Sequence, residues 1–182
     1  MENPQNVAVL GGGSFGTVLA NLAASNGSNV SLWVRDSEQA LRINSEGANT
    51  TYHPELKLSK NIIASDDLRE VLNDKSIIFI ATPSIVFEQI VKRISDCIDE
   101  KPYLISCTKG ILDDPFRPLS EVISSSLKNT IGVLSGPNLA KEIADEKIAG
   151  TVIAGRDENL IHIVKSLLLS LIHISEPTRP SQ

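Results

Sequence analysis

Three glycines near the amino terminus constrain the fold of this chain more than any other feature. Gly11, Gly13 and Gly16 have the spacing G-x-G-x-x-G and follow an apolar run at residues 7–10. After them, apolar side chains recur at helical spacing, at Phe15, Val18, Leu19, Leu22 and Ala23. The segment therefore predicts a strand, a tight turn and an amphipathic helix that begins at the glycines.

This arrangement is typical of a turn that binds the pyrophosphate of a dinucleotide. Gly11 permits the sharp turn, Gly13 lets a pyrophosphate approach the backbone, and Gly16 lets the helix lie close to the strand. The unpaired N–H groups and the dipole of the helix then face the anion. A glycine-rich turn without a ligand is the alternative, and the surrounding strand-turn-helix pattern favours the dinucleotide.

Strands and helices alternate along the rest of the chain. Further strands are predicted at residues 30–34, 61–64, 76–81, 103–107, 131–134 and 151–154. Helical spacing recurs at 87–94 and 160–168, and a helix is expected to begin near Asn138. Residues 44–60 are polar and irregular, which predicts a long surface loop of a kind that is often functional. We predict an α/β fold with a doubly wound, mainly parallel, Rossmann-like sheet, whose ligands bind beyond the carboxyl ends of the strands.

Composition narrows the class of protein. The chain has 182 residues, of which 41% are hydrophobic, and a formal net charge of −5, which suits a soluble globular domain and disfavours nucleic-acid binding. The absence of a signal-peptide pattern or membrane-span-length apolar stretch predicts a cytoplasmic protein. Cys97, in an expected helix, and Cys107, in an expected strand, are interpreted as buried, reduced thiols. Three histidines lack ligand spacing, so no metal site is expected: His53, His162 and His173.

Arg35 and Asp36 stand where a dinucleotide-binding unit carries its ribose-recognising residue, about 20 residues after the glycines. Asp36 and Gln39 have the spacing of a capping box, which would occupy the Asp36 carboxylate with backbone N–H groups. Arg35 would then be free to pair with the 2′-phosphate of NADPH. The expected cofactor is NADP or NAD, with NADPH favoured, and a merely solvated Arg35 is the alternative.

Three further stretches fall at the ends of predicted strands: Ala81–Ser84, Thr108–Gly110 and Ser135–Glu142. With the glycine turn, the Thr-Lys-Gly at 108–110 and the Gly-Pro-x-x-Ala-x-Glu at 136–142 make the chain resemble the NAD(P)-dependent glycerol-3-phosphate dehydrogenases of the bacterial type. The resemblance runs from about Asn6 to about Leu168. It implies reduction of dihydroxyacetone phosphate to sn-glycerol 3-phosphate with NAD(P)H, for phospholipid synthesis.

The resemblance also implies roles for individual residues. Ser14, Phe15, Arg35 and Ala140 would contact the cofactor, and Lys109 would lie at both cofactor and substrate. Gly136 and Asn138 would contact the substrate together with Lys109. A solvated Lys109 and an Asn138 that only caps a helix are the alternatives.

The family carries its proton-donating lysine and a phosphate-binding Arg-Asn pair in a second, helical domain, which this sequence does not contain. Leu169–Arg179 instead resemble the translation of a sequencing adapter. We therefore expect a dinucleotide-binding domain at 1–168, a non-native tail at 169–182 and a truncated reading frame, with no catalytic residue in the chain. A natural polar tail is the alternative.

Two other functions stay open at this point. One is a stand-alone NAD(P)-binding module without catalysis. The other is a related NADP-dependent reductase, since enzymes acting on 6-phosphogluconate or ketopantoate have a similar first domain, although the motifs at 108–110 and 136–138 argue against it. The oligomeric state is also open, and a homo-oligomer of the full-length protein is one alternative.

Overall fold

Nine strands and seven helices form the described part of the computed structural model, which comprises residues 5–113, 116–145, 147 and 149–168. The strands are β1 Asn6–Leu10, β2 Asn29–Trp33, β3 Ile62–Ser65, β4 Ile77–Ile80, β5 Tyr103–Ser106, β6 Ile111–Asp113, β7 Phe116–Pro118, β8 Ile131–Ser135 and β9 Val152–Gly155. The helices are α1 Ser14–Ser25, α2 Ser37–Glu46, α3 Leu68–Leu72, α4 Phe87–Ser95, α5 Leu119–Ser126, α6 Ala140–Ala144 and α7 Glu158–Leu167, and a 3-10 turn spans Ser84–Val86. The tail expected at 169–182 lies outside the described residues.

Seven of the strands form one sheet, in the order β3-β2-β1-β4-β5-β8-β9. The chain winds outward from β1 through β2 to β3, and then returns to the other side of β1 for β4 and β5. All neighbouring pairs from β3 to β8 are parallel. The prediction of a doubly wound, mainly parallel sheet is confirmed, and its topological switch point lies between β1 and β4.

The last strand, β9, runs antiparallel to β8. Among its described residues, the connection between them contains one helix, the five-residue α6, which is about 7.5 Å long at 1.5 Å per residue. A return to the amino ends of the strands would have to cover roughly 16 Å, the length of five extended residues. Helix α6 does not span this distance, and the chain re-enters the sheet from the carboxyl edge.

Alternating strand residues build two apolar layers, one on each face of the sheet. Val7 and Val9 belong to the layer that packs on α1 and α7, whereas Ala8 and Leu10 belong to the layer under α3, α4 and α5. All four residues of β4 are fully buried. The unbroken apolar run thus has the cause expected from the sequence, burial of a parallel strand on both faces.

Several local expectations need correction. The hairpin of β6 and β7 was not predicted. Cys97 lies in the turn after α4 and is half-buried, not in a helix, while Cys107 follows β5 directly and is buried. Both are free thiols. None of the helices in the described part of the chain is both long and apolar enough to cross a membrane.

Candidate functional site

The glycine turn joins β1 to α1 at the switch point of the sheet. Gly11 adopts φ +121, and a Cβ there would lie 2.7 Å from the Ala81 carbonyl oxygen of the neighbouring strand end. A Cβ on Gly16 would collide with the carbonyl oxygen of Gly11, and one on Gly12 with the Cγ1 of Val34. At Gly13, by contrast, a Cβ would meet no protein atom within 4 Å. The backbone at Gly13 is therefore open to a ligand, while the glycines around it are required by the protein itself.

The first turn of α1 is uncapped. Three other helices begin at an aspartate whose carboxylate accepts backbone N–H groups: Asp36 for α2, Asp67 for α3 and Asp157 for α7. The cap position of α1 is Gly13, and the described residues provide neither a side-chain cap nor an acidic residue in its first turn. Its first N–H groups have no intrahelical partner, so they and the helix dipole are available to an anion.

The segment 47–58 folds against this turn, although the sequence predicts a surface loop at 44–60. Residues 44–46 of the predicted loop belong to α2. Within the remaining loop, Asn49 and His53 are buried, with 2% and 8% of their surfaces exposed. Asn49 Nδ2 donates to the carbonyl oxygen of Gly12 (3.0 Å) and to Thr17 Oγ1 (2.8 Å). His53 Nε2 lies 2.9 Å from Ser14 Oγ. The sequence did not single out either residue as functional. The available signal was only that both lie in a polar loop long enough to be functional.

Arg35 and Asp36 follow β2 on the other side of β1, and both are exposed. The Asp36 carboxylate accepts the backbone N–H of Glu38 at 2.9 Å, so the predicted cap is confirmed. The predicted reciprocal bond from Gln39 is wrong, because Gln39 Nε2 donates to the carbonyl oxygen of Gly12 at 2.8 Å instead. Arg35 makes no ion pair with the described residues. Its guanidinium is available at the edge where a ribose would lie.

Two adjacent strand ends, those of β4 and β5, are tied together. Thr108 Oγ1 donates to the carbonyl oxygen of Thr82 at 2.7 Å, and the turn at Gly110 approaches Ser84. Thr82 is 5% exposed, and its hydroxyl has no hydrogen-bond partner among the described residues. Lys109 is exposed beside it. The predicted Thr-Lys-Gly stretch thus stands next to the switch point.

Beyond β5, the end of β8 carries the third predicted stretch. Gly136 adopts φ +144, and a Cβ there would lie 2.8 Å from the Gly150 carbonyl oxygen. Asn138 is 5% exposed, and its Nδ2 lies 3.4 Å from Thr151 Oγ1 while Oδ1 has no partner among the described residues. Asn138 is not the helix cap, because Leu139 occupies that position without a side-chain bond. The buried amide oxygen therefore has no partner among the described residues, and a bound ligand could supply one.

Residues from α1 and α6 meet over this edge of the sheet. Phe15 and Ala140 both pack against a small apolar cluster formed by Val18, Ile143 and Ala149. The structure thus brings the predicted residues of the glycine turn, β4, β5, β8 and α6 to one carboxyl edge, and Arg35 follows the end of β2 on the same edge.

The groups that this edge offers to a ligand are cationic or hydrogen-bonding. The described residues contain no group of three or more His, Cys, Asp or Glu side chains placed to hold a metal. Burial raises the pKa of the Cys107 thiol, which keeps it protonated and unreactive as a nucleophile. Helix N–H groups, a guanidinium and an ammonium are groups that bind phosphates.

A polar cavity of about 230 Å³ lies at the opposite edge of the sheet, lined by Gln5, Asn6, Asp74, Lys75, Ser76 and Glu100. Burial lowers the pKa of Lys75, and the adjacent Asp74 partly opposes that effect. This cavity is at the amino ends of β1 and β4, away from the carboxyl edge where ligands of such sheets bind. We therefore place the functional site at the open carboxyl edge.

Comparisons with known proteins agree on a family. A family profile described as NAD-dependent glycerol-3-phosphate dehydrogenase N-terminus matches residues 6–161. Relatives named glycerol-3-phosphate dehydrogenase, NAD(P)+, include that of Alcanivorax borkumensis, 46% identical over 92% of this chain and 49% of the relative. That of Acinetobacter baylyi is 44% identical over 91% of this chain and 46% of the relative. A crystal structure of glycerol-3-phosphate dehydrogenase from Coxiella burnetii matches with a TM-score of 0.85 and 31% identity, over 91% of this chain and 51% of that one. The chain spans about half the length of these relatives.

Proposed function

The chain belongs to the NAD-dependent glycerol-3-phosphate dehydrogenase family, and from this premise we propose that it forms the cofactor-binding half of an enzyme that reduces dihydroxyacetone phosphate to sn-glycerol 3-phosphate. The observation that carries the proposal is the uncapped first turn of α1, with open space at Gly13, at the switch point of the sheet. A dinucleotide is the ligand that this geometry fits.

Binding of the pyrophosphate is assigned to the glycine turn. The N–H groups of the first turn of α1 would donate to its oxygens, and the helix dipole would favour its charge. The Ser14 hydroxyl stands in the same turn, and Thr82 contributes an unpartnered buried hydroxyl from the neighbouring strand end. These groups fit an anion with several acceptor oxygens.

Recognition of the adenosine end is assigned to Arg35. A guanidinium can make charge-assisted, paired hydrogen bonds to a 2′-phosphate. The Asp36 carboxylate already accepts a backbone N–H of α2, so one of its oxygens is engaged in the helix cap. This arrangement favours NADPH over NADH.

The substrate side is assigned to Lys109, Gly136 and Asn138, at the ends of β5 and β8. When bound, the reduced nicotinamide would supply the hydride that, together with a proton, converts the substrate's ketone to an alcohol. The Lys109 ammonium would stabilise negative charge on the substrate, either its phosphate or the developing alkoxide. The unpaired Oδ1 of Asn138 would accept a substrate hydroxyl, and Gly136 would let the chain turn toward it.

We also propose that the protein acts in the cytoplasm and feeds its product to phospholipid synthesis. The cytoplasmic location is supported by its two cysteines, which are separate free thiols, as in a reducing compartment. A homo-oligomer of the full-length protein stays a prediction.

The assignment of Arg35 gives the test of cofactor binding. Isothermal titration calorimetry measures the binding of each dinucleotide. We expect the wild-type chain to bind NADPH and NADH, and Arg35→Ala to weaken NADPH alone by about 10- to 100-fold, the worth of a charge-assisted hydrogen bond.

Arg42→Ala is the matched control, since Arg42 makes only an exposed ion pair with Glu38 at 3.8 Å. It should leave both affinities unchanged. Absence of binding of either dinucleotide to the wild type would refute the proposed function. Equal weakening of NADPH and NADH by Arg35→Ala would show that Arg35 does not recognise the 2′-phosphate and that another residue must do so.

A further inference from the structure

His53 contacts the residue at which α1 begins. Its Nε2 lies 2.9 Å from Ser14 Oγ and 3.0 Å from the Ser14 carbonyl oxygen. The two residues are 39 positions apart, and His53 is 8% exposed. The imidazole therefore contacts the first turn of the helix, the turn assigned above to the pyrophosphate.

The loop that carries His53 is closed on itself and fastened to the glycine turn. The Leu58 N–H donates to the Gly47 carbonyl oxygen at 2.8 Å, which joins the two ends of the loop. The His53 N–H donates to the Asn49 carbonyl oxygen at 2.8 Å, and the Asn49 side chain donates to Gly12. The position of the imidazole is thus set by backbone bonds on one side and by the glycine turn on the other.

The pair of contacts indicates which nitrogen of the imidazole carries the proton. The Ser14 carbonyl oxygen can only accept, so an Nε2 that bonds to it at 3.0 Å carries the proton. We infer that this N–H is shared between the carbonyl oxygen and Ser14 Oγ at 2.9 Å, which then also accepts. A serine hydroxyl that accepts from one side keeps its own proton free to donate elsewhere. Ser14 is partly exposed and directly follows Gly13, whose backbone is open to a ligand.

We propose that His53 is a positioning residue for cofactor binding, which holds Ser14 as an acceptor and so directs the Ser14 hydroxyl proton toward a pyrophosphate oxygen. The proposal rests on the proposed function and extends it to a residue outside the glycine motif. A hydrogen bond received by a hydroxyl also polarises it and strengthens the bond that it donates. His53 would therefore increase affinity for the pyrophosphate without touching it.

Affinities of single and double variants test this relationship. We expect His53→Leu to weaken NADPH binding by about three- to tenfold, the range of one neutral hydrogen bond. Ser14→Ala should weaken it similarly, and the double variant should be no weaker than Ser14→Ala alone, because His53 acts through that hydroxyl. His53→Gln, whose amide can donate from nearly the same place, should restore most of the affinity.

Adenosine 2′-monophosphate serves as the second probe, because it carries the 2′-phosphate but no pyrophosphate. His53→Leu should leave its affinity unchanged, whereas general damage to the fold would weaken both ligands. Additive losses in the double variant, or a folded His53→Leu chain that binds NADPH like the wild type, would overturn the proposal. A wild-type chain that binds neither NADPH nor NADH would instead contradict the proposed function.

The tautomer can be measured without any substitution. Long-range proton-nitrogen NMR spectra of the histidine-labelled wild-type chain, in mildly alkaline buffer, should show His53 protonated at Nε2. His53→Gln assigns the signal among the three histidines. A proton on Nδ1 with a bare Nε2 would overturn the proposal even if His53→Leu failed to fold.

Discussion

Gly13 and Gly16 lie three residues apart in one turn and lack side chains for opposite reasons. Gly16 is required by the protein, since a Cβ there would collide with the Gly11 carbonyl oxygen. Gly13 has an ordinary φ of −79 and open space around its Cβ position. A ligand that approaches the backbone gives a reason for glycine at that position.

This difference predicts two distinct defects. Gly13→Val should leave the chain folded, with a melting temperature close to that of the wild type, and should remove NADPH binding in calorimetry. Gly16→Ala should instead destabilise the fold by about 1–3 kcal/mol, the cost of overpacking, in urea unfolding. Unchanged NADPH affinity of a folded Gly13→Val chain would contradict the pyrophosphate assignment.

Cys107 makes stability depend on pH on the alkaline side. Burial raises the pKa of its thiol above the ordinary 9.0, so above that pH the unfolded chain releases a proton that the folded chain keeps. Stability is therefore lost as pH rises, by about 1.4 kcal/mol per pH unit for a single group. We compare the unfolding free energies of the wild type and Cys107→Ala from neutral to alkaline pH. The difference between them should shrink at that rate once the pH exceeds 9.0. A constant difference would show that the thiol ionises equally in both states.

At the scale of elements, the loop 47–58 stabilises the turn between β1 and α1 through hydrogen bonds. The Gly12 carbonyl oxygen accepts from both Asn49 and Gln39, which come from the loop and from α2. The Ser59 N–H donates to Asn21 Oδ1 at 2.8 Å, which fastens the end of this region to α1. The turn therefore derives its rigidity from segments that follow β2.

Asn49→Ala removes the two buried hydrogen bonds that Asn49 donates to Gly12 and Thr17. We expect a loss of about 1–3 kcal/mol in urea unfolding, because Thr17 Oγ1 loses its buried partner. Thr50→Ala, at the exposed neighbouring position, is the control and should stay within about 0.5 kcal/mol of the wild type. Equal stability of the two variants would show that the loop packs on the turn without stabilising it.

At the scale of the whole molecule, the carboxyl edge carries large apolar side chains in solvent. Ile85 is 87% exposed after β4, Phe116 is 71% exposed in the β6-β7 hairpin, and Leu139 is 59% exposed after β8. Exposed apolar groups at a ligand edge are typical of a surface that further structure covers. The matched relatives are about twice as long as this chain, which is consistent with such a covering part.

We therefore predict that the 182-residue chain binds NADPH but does not reduce dihydroxyacetone phosphate at an enzymatic rate. The described residues at the carboxyl edge supply groups that bind cofactor and substrate, and none of them is assigned as a proton donor. A positioned proton donor commonly increases the rate by about 10²–10⁴-fold. NADPH oxidation should be compared with that of a chain extended by the remaining half of a relative such as the Alcanivorax borkumensis protein. Comparable kcat/KM values for the two chains would refute this prediction.

Sequence alone determined the seven strands of the large sheet in their order along the chain, the glycine turn and the Asp36 cap, because each depends on residues within a few positions of one another. It also placed the motifs at strand ends, since parallel strands bring their carboxyl ends to one edge. Tertiary structure alone decided that Gly12 must clear Val34, that Gln39 bonds to Gly12 rather than to its own helix end, and that β9 runs antiparallel. The contact of His53 with Ser14 belongs to the same group. A polar side chain has many chemically equivalent partners, and only the three-dimensional distance between remote segments selects one of them.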